Sequence, residues 1–173
     1  MVSCPRSHIT HNWYIAMNVE LVVVGKTDMK EVEALVAMYS KRLNHYVRFA
    51  ITTIADVRNT RSMSEGEQRR LEGESILRLV NESDYVMLLD ERGSELRSVE
   101  FAEVLQRRMS SGIKRLVFVI GGPYGFSEAV YARANGKLSL SRMTFSHQLV
   151  RAIFTEQLYR AFTILRNEPY HHE

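Results

Sequence analysis

One cysteine, Cys4, is too few for an internal disulfide and fits a reducing, cytoplasmic compartment. Long hydrophobic runs are missing as well. No stretch approaches the ~20 residues that a membrane helix needs, so no membrane partner is expected. Charge of one sign is also scarce: 23 Lys and Arg against 20 Asp and Glu leave a net charge of +3. With a pI near 9.1, a polyanionic partner is permitted without being required. There is no internal repeat, low-complexity tract or interdomain linker. What remains is 173 residues, 45% hydrophobic and 25% charged, the profile of a globular protein and enough for one ordinary domain with its own core.

The first 16 residues, Met1 to Ala16, lack a signal peptide's apolar core and carry Arg6, His8, His11 and Asn12. Better-patterned sequence begins at Met17. Residues 1–16 are therefore read as an extension outside the fold, either unordered or upstream sequence from an early start codon, and 17–173 as the single domain. The spacing of His8 and His11 comes without a carboxylate or thiolate framework, so no metal site is expected there.

From Met17 on, strand and helix signals alternate. Val19–Val24 is a β-branched run ended by Gly25 and reads as a buried strand. Asp28-Met29-Lys30-Glu31 has capping-box spacing and opens a helix with Val32, Leu35, Val36, Tyr39 and Leu43 on one face. Val47–Ile54 is a second strand, followed by a polar connection with Arg58 and Arg61. Ser64 caps the next helix, which reaches about Val80. Tyr85–Leu89 is a third strand, ending in Asp90-Glu91-Arg92-Gly93. Ser98 caps a helix bearing Phe101, Ala102, Leu105 and Met109. Leu116–Ile120, a fourth strand without polar interruption, is predicted to be covered on both faces. A short helix from Ser127, a brief strand over Leu138–Ser141 and a long helix capped by Ser146 complete the chain. The alternation predicts one α/β domain around a largely parallel sheet.

In such sheets ligands lie beyond the carboxyl ends of the strands. That rule selects three loops: Asp90–Gly93, Gly121–Gly125 and Ser141–Ser146. The second lacks the Lys-Ser/Thr of a phosphate loop, and Pro123 removes a backbone donor. A nucleoside held by backbone groups and apolar walls fits it better than a nucleotide held by its phosphates, with a plain tight turn as the competing reading.

On the last helix, Leu149, Ile153, Glu156 and Arg160 fall on one side, with His147 and Arg151 on the opposite, more polar side. Glu156 and Arg160 are spaced for an ion pair, either semi-exposed or retained for function. The tail Pro169-Tyr170-His171-His172-Glu173 is either a frayed end or an aromatic and imidazole surface for a flipped base.

Taken in order, Leu89-Asp90-Glu91-Arg92-Gly93, Phe118 through Gly125, Leu138 through Arg151, Glu156 through Ala161 and Pro169-Tyr170-His171 closely resemble one family over essentially Met17 to Glu173. It is the RlmH-type ribosomal RNA large-subunit methyltransferases of the SPOUT class. The resemblance implies an α/β-knot fold: a parallel-rich sheet flanked by helices, with a C-terminal trefoil knot that connectivity rules alone would reject. It implies S-adenosylmethionine in the knot and no metal. It further implies a homodimer with sites at its interface and methylation of N3 of a pseudouridine in 23S ribosomal RNA on assembled ribosomes; no DNA partner is expected. Carried over by residue, Leu89, Gly121, Gly122, Leu140, Ser141, Arg142, Met143, Thr144 and Phe145 are the cofactor contacts. His147, Arg151, Glu156, Arg160, Tyr170 and His171 are the polar catalytic set. Within it, His171 is assigned to proton handling, Tyr170 to packing on the base, and Arg151 and Arg160 to anionic RNA. Alternatives are methylation of another RNA nucleotide, or a non-catalytic nucleoside-binding module of ribosome assembly.

Overall fold

The computed structural model describes residues 17–57 and 60–171. The expectations placed on Met1–Ala16, Arg58, His172 and Glu173 lie outside those residues.

Five strands form the sheet: β1 (Asn18–Val24), β2 (Arg48–Ile54), β3 (Tyr85–Glu95), β4 (Arg115–Ile120) and β5 (Gly136–Ser139). Between and after them run α1 (Lys30–Leu43), α2 (Glu65–Leu79), α3 (Ser98–Ser110), α4 (Glu128–Arg133) and α5 (Leu149–Leu165). The strand order is β2-β1-β4-β3-β5 and every pairing is parallel. All five carboxyl ends therefore open on one side of the sheet.

Alternation along the strands builds two cores. Leu21, Val23, Met87, Leu116 and Phe118 point to one face, under Phe101 and Leu105 of α3 and Phe154, Leu158 and Phe162 of α5. Val22, Val24, Val86, Leu88, Val117 and Val119 point to the other, under Ile76 of α2 and Val130 of α4. Burial on both faces explains why β1 and β4 read as unbroken apolar runs.

Local signals were followed in part. Ser64 caps α2 by accepting from the Glu67 amide at 3.2 Å. Ser146 accepts from the Leu149 amide at 3.1 Å, three residues ahead of the helix it was expected to cap. Four expectations are corrected. The N-cap of α1 is Met29, and the Asp28 amide instead donates to Gln148 Oε1 at 3.2 Å. The N-cap of α3 is Arg97, whose amide donates to Glu100 at 2.7 Å, while the Ser98 hydroxyl donates to Gln157 at 2.9 Å. The third strand does not stop at Leu89; after a register shift between Leu89 and Ser94 it runs on to Glu95 beside β5. The fifth strand begins and ends two residues early, at Gly136–Ser139 rather than at Leu138–Ser141.

Candidate functional site

Because β4 and β5 both flank β3, the turns after these three strands share one end of the sheet. They enclose a cavity of about 540 Å³, within the usual range for small-molecule sites. Leu89, Ile120, Leu138, Leu140, Phe145 and Val150 give it apolar walls, and the Gly121–Gly125 turn gives it exposed backbone. Asp90, Glu91, Arg69, Arg92 and His147 supply its charged and titratable groups. The three loops selected by the strand-end rule thus meet in one hollow.

The segment from Leu140 to Val150 closes the cavity by crossing from the edge strand β5 to the end of β1. Two side chains anchor it there. Gln148 donates to the Lys26 carbonyl at 2.9 Å and accepts from the Asp28 amide. Arg151 donates to the carbonyls of Val24 at 2.7 Å, Gly25 at 2.9 Å and His147 at 3.0 Å, and to the Thr27 hydroxyl at 2.9 Å. It is 1% exposed. Burial holds its pKa below the usual guanidinium value, opposed by the more distant carboxylates of Asp56 and Asp28. This corrects the polar face expected for Arg151: every part of its fork is spent on protein acceptors, and its place is behind the cavity wall.

The glycine turn is backed by a carboxyl group that sequence reasoning missed. Glu72 of α2 is 3% exposed. Its Oε1 accepts from Gln68 at 2.8 Å, and its Oε2 has no partner among the described residues. A Cβ added at Gly122 would sit 2.5 Å from that Oε2, so the second glycine is needed for close approach between turn and helix. Desolvation raises the Glu72 pKa, helped by Asp56 and opposed by Gln68. Tyr131, also missed, lines the cavity and donates its hydroxyl to Asp90; burial and that bond push its pKa up to about 12. Neither residue carried a signal in the sequence, because each meets its partner only through tertiary packing.

Of the residues expected to contact a cofactor, Leu89, Gly121, Gly122, Leu140, Ser141, Met143, Thr144 and Phe145 all line the cavity. Arg142 does not; its side chain is 88% exposed, 3.9 Å from Glu95. Of the polar set, only His147 lines the cavity. Glu156, Arg160 and Tyr170 form a separate cluster. Arg160 bonds to Glu156 Oε1 at 2.6 Å, and the Tyr170 hydroxyl donates to the same oxygen at 3.0 Å. Tyr39 of α1 lies 3.4 Å from that hydroxyl, and the Tyr170 ring meets Tyr159 edge-on. The pair is therefore semi-buried and shared with the tail, rather than a bare surface bridge. Desolvation and these bonds raise the Tyr170 pKa. Neither ring nitrogen of His171 has a partner among the described residues. At 1.5 Å per residue, Arg160 lies roughly 15 Å along α5 from Val150 on the cavity wall. Tyr170 and His171 are not among the residues that line the cavity.

Comparison with known proteins agrees with this geometry. A family model described as "Predicted SPOUT methyltransferase" matches residues 17–171. The chain is 60% identical over 156 residues to the Ribosomal RNA large subunit methyltransferase H of Christiangramia forsetii, covering 90% of this chain and 99% of that protein. Proteins of the same name from Flavobacterium johnsoniae and Parabacteroides distasonis are 55% and 52% identical over 157 residues, covering 91% of this chain and all of theirs. A match of this extent to a fold whose strand ends build a nucleoside-sized hollow leads to one assignment: the chain belongs to the SPOUT methyltransferase family.

Proposed function

We propose that this protein methylates N3 of a pseudouridine in large-subunit ribosomal RNA, using S-adenosylmethionine, on assembled ribosomes in the cytoplasm and as a homodimer. The names of its relatives support the rRNA part of this reading. The observation that carries it is the convergence of the Leu89–Arg92, Gly121–Gly125 and Leu138–His147 segments on one cavity.

The residues present fit the methyl donor. Apolar walls and a glycine turn suit a nucleoside, while Asp90 and Glu91 suit a cation such as a sulfonium or an amino group. When bound, the donor supplies an electrophilic methyl group. The chain's own part is to hold the acceptor nitrogen in line with it, which supplies much of the rate, and to accept the proton that leaves N3 or stabilise the negative charge that it leaves behind. His147 lines the cavity, which supports giving it a share in the task assigned to His171. Tyr170 and His171, which do not line the cavity of their own chain, are assigned to the site across a dimer. A C-terminal knot fits this arrangement, as the Leu140–Val150 segment crosses the ends of β3 and β4 before α5 packs on α1 and α3.

Ribosomes from a strain lacking the modification, incubated with tritiated donor, are expected to take label into large-subunit RNA at one nucleotide. Donor binding with no transfer to intact ribosomes would favour the non-catalytic module. Label at another nucleotide would keep the enzyme and change its target.

A further inference from the structure

Beside the donor cavity, against the edge strand β5, lies a second hollow of about 320 Å³. It is lined by Arg92, Tyr131, Ala134, Asn135, Gly136 and Lys137. Arg92 and Tyr131 also line the donor cavity, so the two share a wall.

Cations line both hollows, but carboxylates line only one. The carboxylates of Asp90 and Glu91 belong to the donor cavity, whereas none lines the second hollow. Tyr131 stands between them: its hydroxyl donates to Asp90 on one side, and its ring lies 5.6 Å from the Lys137 ammonium on the other. Neither Arg92 nor Lys137 forms an ion pair among the described residues. Asn135 adds to this character. Its Oδ1 accepts from the Val86 amide at 2.8 Å and from Arg133 at 3.2 Å, which fixes the amide and leaves its NH₂ to offer. The side chains that remain unspent here are a guanidinium, an ammonium and an amide NH₂, all donors and two of them cationic. Such a set recognises an anion rich in acceptor oxygens.

We infer that the second hollow is a subsite for a phosphodiester of the RNA strand flanking the target base, gripped by Arg92 and Lys137. The inference rests on the RNA methylation proposed above. It explains how a chain with a net charge of only +3 can engage RNA: two of its cations stand together beside the cavity. An anionic substrate is then received by a hollow lined by cations and by no carboxylate, beside a cavity in which Asp90 and Glu91 stand among the charged groups.

Lys137 is exposed and lines only the second hollow, so its substitution spares both the core and the donor cavity. Association of the full-length protein with unmodified ribosomes, followed by sedimentation across a salt series, is the test. Lys137→Gln is expected to weaken association about ten-fold, the scale of one charge-assisted contact, and Lys137→Glu further still. The dependence of log K on log salt is expected to flatten by roughly 0.7–0.9 for the lost phosphate contact. Affinity for S-adenosylmethionine, measured by calorimetry, should stay unchanged. Wild-type association and salt slope in both variants would overturn the subsite. So would calorimetric binding of inorganic phosphate that Lys137→Glu abolishes while ribosome association is untouched, since the occupant would then be a free anion. Salt-sensitive association altered by Lys137→Glu, with no methyl transfer by the wild type, keeps the subsite and sinks the methylation reading. Wild-type methylation with an indistinguishable Lys137→Glu variant does the reverse.

Discussion

Arg151→Met is expected to destabilise the protein by about 3 kcal/mol, read as a lower urea midpoint with an unchanged slope. Methionine keeps most of the stem's volume but none of the donors. The carbonyls of Val24 and Gly25, both bonded to the guanidinium in a buried setting, lose a partner that no water can replace without opening the structure. Each such acceptor costs about 1–3 kcal/mol when left unpaired, and removal of a buried charge offsets part of that sum. The larger consequence is local. Arg151 ties the start of α5 to the end of β1, and the segment leading into that helix forms one wall of the donor cavity. Donor affinity should fall with stability. Arg151→Lys should fall between, because one ammonium cannot span acceptors arranged for a fork. An unchanged midpoint in Arg151→Met would show that the fork contributes nothing net.

Gly93→Ala is expected to cost about 3 kcal/mol, at the upper end of ordinary overpacking. A Cβ on Gly93 would lie 2.6 Å from the backbone nitrogen and carbonyl carbon of Leu138. A flexible side chain could swing away from such a contact; a strand backbone cannot. β5 would have to separate from the second half of β3, where Ser94 and Glu95 pair with Leu138 and Ser139. Leu138, Ser139 and Leu140 line the donor cavity, so donor binding should weaken together with the fold. Gly66→Ala in α2 is the control, since the added methyl meets nothing within 4 Å there. Equal stability of Gly93→Ala and wild type would mean that β3 and β5 are not packed this closely.

These two residues also mark where sequence reasoning stops. The strands of the core, the helix periodicity and the three loops were legible because each is a local pattern: β-branched runs, apolar spacing, glycines and hydroxyls at strand ends. The Ser64 cap was legible for the same reason. Arg151 was not, because a helical projection shows only its neighbours at three and four residues, and two of the three carbonyls that engage it come from more than 120 residues earlier. The extension of β3 through Asp90–Glu95 was hidden by a polar, glycine-containing sequence that looks like a loop until β5 is laid beside it. Glu72 was hidden by the weak apolar pattern of α2, in which a glutamate, a glycine and Ile76 are the buried residues. The tail was read as either frayed or functional; the packing of Tyr170 on Tyr159 and its bond to Glu156 were hidden because both partners lie on α5 and only tertiary packing brings Tyr170 back to them.

Function was legible mainly through the resemblance, and the structure contributes the reason that those motifs belong together. Leu89, the glycine turn and the Leu140–Phe145 segment are far apart in the chain and share one hollow. Everything else in the account depends on what that hollow receives. Calorimetric titration of the full-length protein with S-adenosylmethionine, beside ATP and flavin mononucleotide, tests it most directly. The account predicts saturable heat from S-adenosylmethionine alone. Binding of ATP or flavin mononucleotide, with S-adenosylmethionine silent, would contradict it.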